Sequence, residues 1–486
     1  MNTSLAHIEP KEIWAHFSLI NAIPRASKKE KQISDFMVSF AKSLHLVVVQ
    51  DKALNVLIKK PATKGYENRK KVTLQAHLDM VHQKNNNTVF DFENQGIEMF
   101  VDGDWVKAKG TTLGADNGLG VAAIMSILKS TTIEHPELEA LFTIDEETGM
   151  TGAFELQPHF ISGDILLNLD TEEDDEITIG CAGGIDVTAT KSYIPTPIPK
   201  NNSCYKITVN GLKGGHSGIE IHKGLGNSNK IITRILFELN LLVTYQLISL
   251  QGGNLRNAIP REATSIIAVA TENDFSTTFQ KITEIVLKEW DAIEPNLNIQ
   301  IDSCQQERDG LNILLQTRLL QTLYACHNGV YTMDASITDL VATSNNLSSV
   351  SVANGTIEIA CLTRSSIESE KQDLVNKLTA TFLLGDFEVQ CNGSYPGWQP
   401  NSNSSILKVL KKTYLSLFHT KPHINACHAG LECGIIGKCY PNMEMISFGP
   451  TIRGAHSPDE RASISSTQKF WMYLQEILKN IPLKNI

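Results

Sequence analysis

Nowhere does the chain run for about 18 apolar residues without a charge, the length a helix needs to cross a bilayer, so no transmembrane span is expected. Its opening, MNTSLAHIEPKEIWAHF, lacks an apolar core and carries Glu9 and Glu12 early, so it does not read as a secretion signal. There is no CxxC, and nine cysteines, an odd number, do not suggest a disulfide framework in a chain of this size. Cys427, Cys433 and Cys439 recur every six residues, which is not a zinc-ligand spacing; they read as small buried side chains. Basic residues are outnumbered, 43 Lys and Arg against 53 Asp and Glu, and a net charge of −10 argues against a partner bound through its phosphates. One lysine-rich piece, ASKKEKQ, is broken by Glu30 and reads as the solvated start of a helix. These absences leave a cytoplasmic globular protein with neither a nucleic-acid nor a membrane partner.

What is present is an ordinary composition, 42% hydrophobic and 20% charged, over 486 residues, which is too long for one core. Residues 1–187 alternate apolar strands and helical patterns: KKVTLQAHLDMV and ALFTID as strands, GLGVAAIMSILKS as a helix, DILLNLD as another strand. That alternation predicts an α/β layer around a mostly parallel sheet, whose functional loops gather at the carboxyl ends of the strands. After the proline-rich SYIPTPIPKNN the pattern changes to longer amphipathic runs, and CNGSYPGWQPNSNSS reads as a second linker. The expected organisation is one α/β domain, 1–187 and 395–486, interrupted by an inserted α+β domain over 188–394. Within the insert, NLRNAIPREATSIIAVAT lies over NLSSVSVANGTIEIACLT at a shift of 92 residues with six identities, which suggests an internal duplication. That alignment sets Ser349 over Asn257 and Glu272 over Arg364.

Several strand ends carry metal-ligand residue types. In LQAHLDMV, His77 and Asp79 are two apart and so share a strand face. In KGTTLGADNGLGVA, Asp116 precedes a helix, where by itself it is most simply an N-cap. In ALFTIDEETGMTGA, Asp145, Glu146 and Glu147 stand side by side at the end of an apolar run, an arrangement that repels itself unless water or a cation intervenes. Asp170 ends ILLNLD, and His456 lies in the distant ISFGPTIRGAHSPDE. Each has an ordinary explanation alone. Together they supply what a two-metal hydrolytic site needs, a bridging carboxylate and roughly two further ligands per metal. Asp116 as bridge, His77 and Asp170 on one metal, and Glu147 and His456 on the other fill that count. Asp79 then orients the His77 ring, Glu146 is left as general base, and Asp145 is structural.

The ordered motifs HLDMV, GADNG, DEETGMTGA, NLD and GAHSPDE resemble the co-catalytic zinc peptidase superfamily that includes aminoacylases and dipeptidases. With GLKGGHSGIEIHKGLGNSNK, GGNLRNAIPR and NACHAGLECGIIG added, the chain resembles the bacterial aminoacyl-histidine dipeptidase branch, also called cytosol non-specific dipeptidases, over nearly its whole length. The resemblance implies the same five ligands, the same roles for Asp79 and Glu146, and a cis peptide after Asp116. It further implies that the insert is a lid, that His216 helps hold the developing oxyanion, and that Asn257 and Arg364 grip the substrate's terminal carboxylate. Glu432 faces the substrate's amino end or is structural. The implied enzyme is a metal-dependent dipeptidase acting on Xaa-His and other unblocked dipeptides, with two divalent ions, Zn²⁺ or else Co²⁺ or Mn²⁺. An N-acyl amino-acid deacylase and a non-catalytic binding protein are the alternatives. A duplicated lid could supply His216 within one chain, or a homodimer could supply it across chains.

Overall fold

Three strands, Val72–His77, Leu138–Thr143 and Ile165–Asn168, are buried along their whole length and show no alternation of covered and exposed positions. Strands of that kind belong at the centre of a sheet covered on both faces. They lie there, parallel, with Val72–His77 between the other two. The register pairs His77 with Thr143 and Gln75 with Asn168, so the three carboxyl ends are level and their loops leave from one edge. Glu444–Ser447 adds a fourth parallel strand beside Ile165–Asn168, with Ser447 opposite Asn168. The full sheet has eight strands, with antiparallel Val56–Lys60 and Val47–Gln50 beyond Leu138–Thr143, and Glu176–Cys181 and His423–Cys427 beyond Glu444–Ser447. Helix Ala115–Lys129 packs on Val72–His77 and is itself covered by Lys11–Asn21. A four-stranded sheet pairs Arg461–Ser463 with Trp105–Ala108 and so ties the His456 region to the first part of the chain.

The computed structural model describes residues 5–484 except 271–273, 306, 308 and 336. The chain divides into two units, the first comprising Met1–Gly180, Trp398–Ala426 and Leu431–Ile486, the second Cys181–Gly397 and Cys427–Gly430. The second unit therefore begins at 181 where the sequence suggested 188, and ends at 397 where it suggested 394. The reason is the strand Gly183–Ser192, which pairs with Thr356–Ser365 from end to end. The proline-rich segment follows this strand, so it is a loop inside the unit. Likewise the first residues of CNGSYPGWQPNSNSS complete the strand Glu388–Tyr395.

The second unit is built on an antiparallel nine-stranded sheet whose order is nearly palindromic. From one edge it reads Asn298–Ser303, Asn202–Asn210, Ala263–Ala270, Tyr245–Gly252; from the other, Glu388–Tyr395, Gly183–Ser192, Thr356–Ser365, Val341–Ala353. The halves meet where Leu250 pairs with Val352, and Gly329–Met333 is added on Val341–Ala353. Helices Ser228–Leu242, Phe275–Trp290, Ile313–Ala325 and Glu368–Leu384 contribute to the same apolar core as the strands. At the 92-residue shift the strand Ala263–Ala270 falls on Thr356–Ser365, its palindromic counterpart, but Asn254–Arg261 is loop and turn broken by a two-residue strand, where its counterpart is continuous strand. Glu272, aligned with Arg364, and Thr271, the end of the alignment, lie outside the described residues.

Candidate metal centre

Five side chains predicted as ligands converge in the first unit. His77 ends its strand with Nδ1 3.2 Å from both the carbonyl and Oδ1 of Asp79. That contact keeps the Nδ1 proton in place and turns Nε2 outward. Nε2 lies 3.1 Å from Asp116 Oδ1 and 3.4 Å from Asp170 Oδ1. On the other side of Asp116, Oδ2 is 3.2 Å from His456 Nε2, which is 2.9 Å from Glu147 Oε2. Two groups result, His77–Asp116–Asp170 and Asp116–Glu147–His456, with the ligand atoms of each within 4.8 Å of one another. Asp116 belongs to both and offers one oxygen to each. The peptide between Asp116 and Asn117 is cis.

The electrostatics describe a cation site. Burial pushes the His77 imidazole down, but Asp170, Asp116 and Asp79 outweigh it and carry it well above its ordinary range. Hydrogen bonds to Asp116 and Glu147 push His456 up to about 11. Burial raises Glu147 and Asp170, and Oε1 of Glu147 is buried without a hydrogen-bond partner. Three carboxylates crowded on two imidazoles compete for protons there, and divalent metal ions compete for the same atoms. The donor set of two imidazoles and three carboxylates fits such ions.

Asp79 is fully buried and accepts from every side: Oδ1 from the Glu146 N–H at 3.0 Å, Oδ2 from the Glu147 N–H at 3.2 Å and the Ser27 hydroxyl at 2.8 Å. One carboxylate thus sets the His77 ring and the backbone of both glutamates. Glu146 is in neither ligand group; burial, then Asp170, Glu432 and Asp116, raise its carboxyl well above the usual range, against the pull of His77. Asp145 is buried with φ +57° and accepts from the hydroxyls of Thr148 and Thr151, so it shapes the turn.

Glu432 lies within the first unit with no exposed surface, its Oε2 accepting from Gln75 Nε2 and Thr143 Oγ1, each at 2.7 Å. Burial pushes its carboxyl up to about 8, so it is mostly protonated at neutral pH. From Gln75 the chain of bonds continues to Asn168, at 2.5 Å, and on to Ser447. These residues cross the sheet one pleat below the ligands, since Gln75 is two before His77 and Asn168 two before Asp170.

The second unit gathers its own predicted residues. Gly215–His216 pairs with Ala258–Ile259, and the Ser217 N–H donates to the Asn257 carbonyl at 2.8 Å, so His216 and Asn257 are neighbours. His216 Nδ1 accepts from the backbone N–H of Gly218 at 3.2 Å and Ile219 at 3.0 Å, which leaves its proton on Nε2. Asn346 Nδ2 holds the carbonyls of Arg256 and Ala258, on either side of Asn257. Arg364 is buried, donates from Nη1 to the Tyr395 hydroxyl at 2.7 Å, and keeps Nε without a partner.

Several supporting residues carried no signal in the sequence. Arg25, Gln75 and Tyr395 act through contacts to residues at least 31 positions away, which no local pattern reveals. Glu30, read as part of a solvated helix start, is buried and accepts from the Lys28 and Asp145 N–H groups at 2.8 and 2.9 Å. Glu460 lies in GAHSPDE four residues beyond His456, where no local pattern sets it apart from a solvated acid.

Relatives share this architecture throughout. The cytosol non-specific dipeptidase of Escherichia coli is 44% identical over 99% of this chain and 100% of its own. The aminoacylhistidine dipeptidase of Vibrio alginolyticus superposes with a TM-score of 0.94 at 41% identity, covering 99% of both chains. An aminopeptidase from Bacillus cereus, 14% identical with a TM-score of 0.57 over 98% of this chain and 99% of its own, shares the fold alone. The model of peptidase family M20/M25/M40 matches residues 73–480, from the strand that carries His77 to beyond His456, and the chain belongs to that family.

Proposed function

We propose that the protein is a metal-dependent dipeptidase that hydrolyses unblocked dipeptides, Xaa-His such as β-alanyl-histidine among them. The observation that carries the proposal is Asp116, with one oxygen toward each of two ligand groups and Glu146 outside both. Two divalent ions would be held by His77, Asp116 and Asp170 and by Asp116, Glu147 and His456, with Zn²⁺, Co²⁺ and Mn²⁺ all suited. Such ions lower the pKa of a bound water and polarise a scissile carbonyl. Glu146 takes the proton of the attacking water and returns it to the leaving amine, a task that suits a carboxyl held by burial well above its ordinary range. Asp79 keeps the His77 proton on Nδ1 and anchors the Glu146 backbone.

The second unit provides groups for the rest of the substrate. His216, with its proton on Nε2, donates to the developing oxyanion. Arg364 and Asn257 take the terminal carboxylate, and the unpartnered Nε of Arg364 supports this assignment. The relatives named as dipeptidases favour this reading over an N-acyl deacylase. Glu432, protonated and bonded to Gln75 and Thr143, supports the sheet beneath the ligands. The palindromic strand order supports an origin of the second unit by duplication, which gives one chain what a homodimer would otherwise assemble. A cytoplasmic location fits the Escherichia coli relative, which is named as a cytosol dipeptidase. Among the described residues no helix is long and apolar enough to cross a membrane.

Amine release from free dipeptides, with N-acetyl amino acids alongside, tests the proposal on Zn²⁺-loaded protein. Cleavage of the dipeptides, lost in Glu146→Ala, is expected. Cleavage of only the acetylated compounds would overturn the substrate class, and no turnover of either would overturn the hydrolase.

A further inference from the structure

Helix Ala115–Lys129 has no side-chain cap of its own, and the residue before it, Gly114, takes a left-handed φ of +70°. Its backbone is not helical at Asp116 and Asn117, where ψ is 111° and 30°, so the regular turns begin beyond them and the turn ahead of the break is held from outside. Glu460, 3% exposed, accepts four consecutive backbone N–H groups: Oε2 takes Leu113 at 2.7 Å and Gly114 at 2.9 Å, Oε1 takes Ala115 at 2.7 Å and Asp116 at 3.3 Å. An acid at the start of a helix ordinarily turns back to cap it. Here a carboxylate from far along the chain holds the turn that carries Asp116, and both Asp116 oxygens stay turned toward His77 and His456.

The opposite side of the same turn is held by a cation. Arg25, 1% exposed, donates from Nη2 to the Gly114 carbonyl at 2.6 Å and from Nη1 to the carbonyls of Leu78 and Asp79 at 3.0 Å each. A Cβ on Gly114 would lie 2.5 Å from Arg25 Nη2 and 2.6 Å from Met80 Sδ, so the turn admits no larger residue. Arg25 therefore joins the Asp116 turn to the segment carrying His77, and Glu460 joins it to the segment carrying His456.

We propose that Glu460 is a positioning residue for the metal centre: it clamps the Leu113–Asp116 turn ahead of the helix, and with Arg25 it locks the shared carboxylate between the two histidine segments. The inference rests on the reading of Asp116 as the shared ligand. It makes a particular demand. Glu460 touches no proposed ligand side chain, yet its loss must weaken both metal equivalents together, because Asp116 serves both. A ligand that belongs to one group, such as Asp170, must affect chiefly one.

The test is Co²⁺ titration of the apoprotein, followed by visible absorption, for wild type, Glu460→Gln, Glu460→Asp and Asp170→Asn. Gln keeps the size of Glu but sets an NH₂ against two of the four N–H donors. Glu460→Gln is expected to weaken both equivalents about 10- to 100-fold, the usual effect of losing a residue that supports ligands. Glu460→Asp, which keeps the charge, is expected to fall between it and wild type, and Asp170→Asn to weaken chiefly one equivalent. Wild-type affinity for both equivalents in Glu460→Gln overturns the positioning role and leaves the ligand reading intact. A wild-type protein that takes up no Co²⁺ overturns the ligand reading itself. If Glu460→Gln does not fold, amide exchange in the wild-type apoprotein decides: strong protection of Leu113–Asp116 supports the clamp, and surface-like exchange overturns it.

Discussion

Replacing Asp79 by Asn keeps shape and volume and changes only what the side chain can accept. All its polar neighbours are donors: His77 Nδ1 and the Glu146 N–H on Oδ1, the Glu147 N–H and the Ser27 hydroxyl on Oδ2. An amide NH₂ must replace one of these oxygens. The cheaper choice is Oδ2, because the Ser27 hydroxyl can rotate and accept, which leaves the Glu147 N–H facing a donor. One buried donor without a partner costs about 1–3 kcal/mol, and a neutral acceptor for His77 and Glu146 in place of an ionised one costs about 1 kcal/mol more. Part of this is offset in the apoprotein, where Asp79 repels the buried Glu30 and helps to raise its carboxyl. Thermal stability is therefore a blunt readout, and metal affinity the sharper one. A net 1.4–2.8 kcal/mol, on the order of 10- to 100-fold, is expected at the equivalent that uses His77. Zn²⁺ competition against a chromophoric chelator at fixed pH measures it. Wild-type affinity at both equivalents, with unchanged turnover, would refute the claim that this carboxylate anchors the centre.

Glu146→Gln is expected to lower kcat by about 10²- to 10⁴-fold with metal content unchanged, the loss typical of a general base; steady-state kinetics with metal analysis checks both. Arg364→Ala is expected to cost about 2–4 kcal/mol in kcat/KM on a free dipeptide and far less on the same dipeptide with an amidated carboxyl end, so the ratio of the two substrates is the measurement. Tyr395→Phe removes only the hydroxyl holding Arg364 Nη1 and is expected to cost about 1 kcal/mol on the free dipeptide alone. Glu444 supplies a pH test away from the metals: burial raises its carboxyl, but Lys70, the Ile406 N–H and the hydroxyls of Ser405 and Ser404 outweigh it and bring it to about 2. A depressed carboxyl stabilises the fold fully above its unfolded value of 4.5 and loses that contribution as pH falls through about 2. Partial exposure limits the gain to about 1–2 kcal/mol, so Glu444→Gln should be less stable in urea at pH 7, with the gap closing in acid; a gap independent of pH would refute the assignment.

The catalytic α/β unit was legible because its signals are local. Val72–His77 and Leu138–Thr143 are continuous buried strands, and in a parallel sheet their carboxyl ends are where loops converge, so His77 and Glu147 could be placed from pattern alone. The unit boundaries were less legible. Prolines after Ser192 mark a break in the chain, but Gly183–Ser192 is already committed by hydrogen bonds to a strand some 170 residues on, and composition carries no trace of that pairing. The 92-residue alignment matches strand to strand over Ala263–Ala270, but over Asn254–Arg261 it sets the loop that holds Asn257 against continuous strand.

Residue type, order and spacing were enough to single out five candidate ligands and a candidate base, because metals accept few side chains and strand ends present them at fixed intervals. Only the folded chain decided which oxygen of Asp116 faces which histidine, and what holds the turn that carries it. It also joined Glu432, left open in the sequence between the substrate's amino end and a structural role, to Gln75 and Thr143 in a bonded row one pleat below the ligands. The physical reason is shared. A ligand's identity is a property of one residue, whereas its orientation depends on donors and acceptors such as Glu460 and Arg25, which lie far away in the chain and meet it only after folding.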